Sequence, residues 1–162
     1  MLKIVLLATM LVCAAVAPGV AKNLAVPSKD PVATLMIPDT WTQQEIEFGY
    51  SGTSPDGNIF FSVEYARGDR IDKLFATNDD WMRENKISAK GEPKQQEVML
   101  GGLSAKVFTY QATDENGPTE VDFVIIPAGK RIVLLTLWGS QKEQKDNKTD
   151  IDLIKNSIKA IN

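Results

Sequence analysis

Polar and apolar residues alternate with a period of two along most of this chain, the spacing of half-buried strands. Val32 to Ile37 reads as a strand that Pro38-Asp39 ends. Gln43 to Tyr50 sets Ile46, Phe48 and Tyr50 against Glu45, Glu47 and Gly49, which predicts a strand with one wet face. Ser54-Pro55-Asp56-Gly57-Asn58 is a turn sequence. Ile59 to Tyr65 follows, with Ile59, Phe61, Val63 and Tyr65 on one face and Ser62 and Glu64 on the other. These two segments are expected to pair as a hairpin. Between about Asp69 and Asn85 the period changes to that of a helix. Ile71, Leu74, Phe75, Asn78 and Met82 form its stripe, Trp81 lies at the edge, and Asp79 and Arg83 make an i, i+4 pair outside.

Period two then returns. Gln95 to Leu100 and Leu103 to Ala112 flank Gly101-Gly102, a two-residue turn that needs positive φ at both positions. Asp114-Glu115-Asn116-Gly117 turns toward Glu120 to Ile126, and Ala128-Gly129-Lys130 turns into Arg131 to Trp138. Val133, Leu135 and Leu137 face one way and Ile132, Leu134 and Trp138 the other, so this last strand belongs at the centre of a sheet. Ser140 and Glu143 fit a capping box. Ile151, Ile154, Ile158 and Ile161 form the stripe of a closing helix whose packed part starts near Asn147. The expected class is α+β: an antiparallel sheet of about six or seven strands with helices on both faces, an α/β/α sandwich.

The first 21 residues follow another pattern. Lys3 precedes an apolar run from Ile4 to Ala17, too short to span a bilayer comfortably, which Pro18 and Gly19 break. Gly19 and Ala21 supply the small residues of a cleavage site before Lys22. This predicts a signal peptide over 1–21, export to the periplasm or outside the cell, and no membrane insertion afterwards. Cys13 follows Val12 rather than the small residue a lipoprotein signal needs. Lys22 to Pro31 reads as a polar, extended, loosely held leader, and 32–162 as one domain.

Composition narrows the chemistry. The chain of 162 residues has no His and its single Cys lies in the signal segment. The commonest general base and metal ligand is therefore missing, and the mature domain needs no disulfide. The formal net charge is −3, without a basic stripe, which argues against nucleic acid as a partner.

Four short motifs carry a resemblance. Ile37-Pro38-Asp39-Thr40-Trp41 follows the first strand, Gly101-Gly102-Leu103-Ser104-Ala105 marks a hairpin, Trp138-Gly139-Ser140 ends the last strand, and Ile154-Lys155-Asn156-Ser157-Ile158 lies in the final helix. From about Val32 to Asn162 the chain resembles the fold family of the photosystem II extrinsic protein PsbP and the Ran-binding import factor of the Mog type. It looks most like the small secreted bacterial members. The motifs occupy turn and core positions, so they imply fold rather than function. Metal binding of the PsbP type leans on histidine, and no Ran-binding position has a counterpart here.

No motif builds a catalytic centre. Gly49-Tyr50-Ser51-Gly52-Thr53 looks like a nucleophile elbow but lacks the last Gly and a His to activate Ser51, and reads as a loop at a hairpin end. Glu45 and Glu47 on one strand face would stand roughly 6.6 Å apart, which reads as a solvated row. Asp150 and Asp152 lie on different sides of a helix, and Asp79-Asp80 complements a helix dipole. No cofactor or metal is expected. The aromatic residues Trp41, Tyr50, Tyr65 and Tyr110 remain as ligand-binding candidates, because such side chains bring large area with a polar handle. The expected function is a non-catalytic binding or assembly module for an envelope protein or small apolar ligand, acting through a sheet face or the groove beside a helix. The alternative is an envelope-directed hydrolase, which requires two or more of Ser51, Lys73, Glu45, Glu47 and Glu64 to meet in one pocket.

Overall fold

The computed structural model describes residues 20–161. Residues 1–19, with most of the expected signal segment and Cys13, lie outside the described residues. In chain order the first strands are β1 (Ala21–Val26), β2 (Ala33–Pro38), β3 (Gln44–Ile46), β4 (Gly49–Thr53) and β5 (Phe60–Arg67). A single 3₁₀ turn, Gly68–Arg70, leads into helix α1 (Ile71–Glu84). Then come β6 (Ser88–Ala89), β7 (Lys94–Leu100), β8 (Leu103–Asp114), β9 (Gly117–Ala128) and β10 (Arg131–Gly139). Helices α2 (Gln141–Asp146) and α3 (Lys148–Ser157) and strand β11 (Lys159–Ala160) close the chain.

Most of the structure is one antiparallel sheet of eight strands in the order β3-β4-β5-β10-β9-β8-β6, with β7 also pairing β8. Hairpin connections dictate this pairing. The Gly101-Gly102 turn has φ of 55° and 84°, the double positive φ that its sequence demands. A Cβ on Gly101 would lie 1.9 Å from the Ile158 carbonyl oxygen, so the turn seats its backbone directly on the end of α3. Two of the short motifs thus meet at this seam. Ser140 caps α2 by accepting from the Glu143 N–H while the Glu143 carboxylate accepts from the Ser140 N–H, the predicted box.

Several expectations are corrected. The strand at Val32 to Ile37 does not join the main sheet: β2 lies in a separate three-stranded sheet between β1 and β11. The leader is extended but not loosely held, since β1 pairs along its length with β2 from Ala21↔Pro38 to Val26↔Ala33. Alternating Leu24 and Val26 supply the apolar side of that pairing. Gln43 to Tyr50 is not one strand but a tight hairpin, with Ile46 opposite Gly49 and Glu47-Phe48 at the turn. Glu45 and Glu47 therefore share no strand face. Gly49-Tyr50-Ser51-Gly52-Thr53 is strand β4 rather than a loop. Arg83 pairs with Asp80 at 2.5 Å, one residue nearer than the Asp79 partner expected. The last helix stops at Ser157, after which Lys159 pairs with Thr34, so Ile161 leaves the helical stripe and is exposed.

β10, between β5 and β9, is buried almost throughout. Its alternate side chains enter two apolar clusters. Val133, Leu135 and Leu137 join Phe61, Val63, Val124, Ile126, residues of β1 and β2, and Ile151, Ile154 and Ile158. Leu134 joins Val121, Phe123, Ile125 and Met82, with Leu74, Phe75, Trp81 and Trp138 packed against them. One buried ion pair ties α3 to the sheet: Lys155 Nζ lies 3.0 Å from Asp122 Oδ2, and the Thr109 hydroxyl donates to Asp122 Oδ1 at 2.6 Å.

Candidate functional site

An apolar groove forms where two neighbouring strands end out of step. β4 starts at Gly49, opposite Glu64, while β5 runs on to Arg67 beside β10. Tyr65, Ala66 and Arg67 therefore have β10 on one side and no strand on the other. Only the Phe48 carbonyl reaches across, accepting from the Tyr65 N–H at 3.0 Å. Gly49 makes this close approach feasible, because a Cβ there would lie 1.9 Å from the Val63 carbonyl oxygen. The open end of β5 is roofed by α1 and the turn before it. Arg70 comes from the turn, and Lys73, Leu74 and Thr77 from one face of α1. Together with Phe48, Glu64, Tyr65, Ala66 and Arg67 they enclose about 240 Å³, lined chiefly by carbon.

Phe48 meets Tyr65 edge-on, with ring centroids 6.1 Å apart, and is 46% exposed despite its size. Arg131 lies over the Tyr65 ring at 5.7 Å and is held by Asp30. Arg67 is paired with Asp69. Among the described residues, Arg70 and Lys73 form no ion pair. Glu64 is half-buried; burial pushes its carboxyl above the usual glutamate range, against a smaller opposite pull from the Ser62 hydroxyl, which donates to it at 3.3 Å.

The four aromatic candidates do not share this groove. Tyr65 lines it. Trp41 is 2% exposed, packs on Phe61 at 5.8 Å, and donates from Nε1 to Asp150 Oδ2 at 2.9 Å. Tyr50 packs against the same cluster as Trp41. Tyr110 belongs to the other cluster, edge-on to Phe123 at 5.7 Å, where burial, then Asp79 and Glu92, hold its hydroxyl above the usual range. Trp81 stacks on Phe60 at 5.1 Å and meets Trp138 edge-on at 5.8 Å, so this pair packs the sheet under α1.

Of the five residues named for hydrolysis, Glu64 and Lys73 line the groove. Ser51 is buried on β4 and accepts from Gln44 Nε2 at 3.3 Å. Glu45 accepts from the Ser28 hydroxyl, and Glu47 is exposed in the β3–β4 turn. Of the two hydroxyl residues in the groove, Tyr65 and Thr77, the Thr77 hydroxyl donates to the Lys73 carbonyl at 3.0 Å. Sequence reasoning missed Phe48, Arg70 and Leu74. Leu74 was read only as part of the apolar stripe of α1, and Phe48 only as one face of a strand.

An antiparallel sheet with three helices and a groove at one strand end defines an α+β fold of the PsbP/Mog type. Cyanobacterial PsbP (CyanoP) from Synechocystis shares it at a TM-score of 0.64, with 9% identity over 92% of this chain and 97% of that one. The Ran-binding protein Mog1p of Saccharomyces cerevisiae matches at 0.54, with 8% identity over 90% of this chain and 97% of its own. LpqN of Mycobacterium tuberculosis, involved in cell envelope biogenesis, matches at 0.52, with 18% identity over 88% of this chain and 91% of its own. At such identities the likeness is one of fold. No family model and no curated protein matches the sequence.

Proposed function

We propose that the protein is a non-catalytic binding module of the cell envelope that holds a small, largely apolar ligand in the groove between α1 and the open end of β5. The observation that carries this reading is the groove itself: a carbon-lined concavity walled by Phe48, Tyr65 and Leu74. Its acid–base groups Glu64 and Lys73 lie in the same groove as the Tyr65 and Thr77 hydroxyls, and the Thr77 hydroxyl is committed to the Lys73 carbonyl. The layering supports the reading too, with α1 against one apolar cluster and α3 with the small sheet against the other, the α/β/α arrangement. A fold shared with a Ran-binding protein and with a protein of envelope biogenesis is compatible with a contact role.

Export fits the apolar run and small residues at the amino end. Among the described residues no helix is long and apolar enough to cross a membrane. Cell fractionation with amino-terminal sequencing tests this arm: the mature chain is expected outside the cytoplasm and to begin at Lys22, and a cytoplasmic full-length chain overturns it. For the groove, titration of the isotope-labelled protein with 1-octanol is expected to shift the amide signals of Phe48, Tyr65, Ala66, Leu74 and Thr77 together. Shifts scattered elsewhere, or none at millimolar alcohol, overturn the reading.

A further inference from the structure

Charge around the groove is uneven in a way that selects a ligand class. The chain is acidic overall, yet this apolar groove presents Arg70, from the turn before α1, and Lys73, from its first turn, with no acidic partner for either among the described residues. The other cations nearby are already committed, Arg67 to Asp69 and Arg131 to Asp30. Arg70 ends the turn before α1 and Lys73 lies in the first turn of α1, and both side chains line this groove. Below them the walls are Phe48, Tyr65, Ala66 and Leu74, with no comparable set of donors. Glu64 is the one acid lining the groove. Among the lining residues, two cations without an ion pair therefore stand with one carboxyl.

We infer that the groove binds a free medium-chain aliphatic carboxylate, its hydrocarbon chain against Phe48, Tyr65 and Leu74 and its carboxylate between Arg70 and Lys73. This rests on the groove being the binding site proposed above. The groove, open to solvent and offering about 240 Å³, suits a short single chain. The head group stays near water, so it keeps part of its hydration while the chain is desolvated.

Calorimetric and NMR titrations with octanoate, 1-octanol and octylammonium, matched in chain length, test the inference. Octanoate is expected to bind about tenfold tighter than octanol, the scale of two exposed ion pairs, and to weaken as salt is added. The double variant Arg70→Gln/Lys73→Gln, both exposed positions, should bring the octanoate-to-octanol affinity ratio down to about one. Glu64→Gln should raise that ratio. If octanol binds and octanoate binds no better, or the double variant changes nothing, the carboxylate inference falls and the groove reading stands. If octylammonium binds tightest and Glu64→Gln abolishes it, Glu64 is the anchor and the inference is overturned. If none of the three shifts the groove signals, both fall.

Discussion

Lys155→Met is the most informative single perturbation of this fold. The Asp122 side chain is 8% exposed and accepts two hydrogen bonds, from Lys155 Nζ at 3.0 Å and from the Thr109 hydroxyl at 2.6 Å. Lys155 is 21% exposed and sits on a flexible stem near the surface of α3. The two halves of the pair are therefore unequal. Removing the ammonium strands a buried carboxylate with a single hydroxyl donor, which costs about 3–5 kcal/mol. Removing the carboxylate charge, in Asp122→Asn, keeps an amide for Thr109 and leaves an ammonium able to swing into water, so it costs about 1–2 kcal/mol. Urea denaturation followed by far-ultraviolet circular dichroism reads both, and the melting temperature of Lys155→Met should fall by about 10 °C. The double variant should be more stable than Lys155→Met alone, because it has no stranded charge. If Lys155→Met costs no more than Asp122→Asn, or the second substitution deepens the loss, then burial of the carboxylate does not govern this contact and the reasoning fails.

Two further outcomes follow from the same structure. Burial holds the Glu64 carboxyl above its unfolded value, so the folded state binds that proton more tightly. The stability it contributes is full below the ordinary glutamate range and is lost as the pH rises through the raised value. Glu64→Gln, which stays neutral, should match the parent at about pH 4 and exceed it at about pH 7 in urea midpoint, and a constant difference between the two conditions would contradict this. Gly101→Ala places a methyl group 1.9 Å from the Ile158 carbonyl oxygen, whereas Gly102→Ala meets nothing within 4 Å. Both lose a favourable positive φ, at about 1–2 kcal/mol, but only Gly101→Ala adds about 1–3 kcal/mol of overpacking. Equal destabilisation of the two would show that the seam with α3 yields freely.

Much of the fold was legible because its signals are local. The double glycine, the Ser140–Glu143 box and the two-faced apolar run of β10 each name their structure within a few residues. What failed was pairing information of other kinds. A two-residue turn reverses the chain without breaking the alternation of Ile46, Phe48 and Tyr50, so the β3–β4 hairpin read as one strand. Gly49, whose missing side chain admits the Val63 carbonyl, was the only local clue. Which sheet β2 joins depends on Lys159 and Ala160 returning from the far end of the chain, and periodicity carries no such information. The candidate site was half legible. Tyr65 was one of four aromatic candidates and lines the groove, whereas Trp41, named beside it, is buried against Phe61 with its Nε1 on Asp150. The groove itself arises from the unequal lengths of β4 and β5, a property of two strands that neither shows alone.

The division of the interior by β10 and its neighbours has an evolutionary consequence. Of the residues lining the groove, only Tyr65 packs against the cluster that holds α3. The effects of substitutions on opposite sides of the sheet should therefore add with little cross-talk. A descendant chain can recut the α1 wall while the other half serves as ballast, keeping the molecule upright during the change.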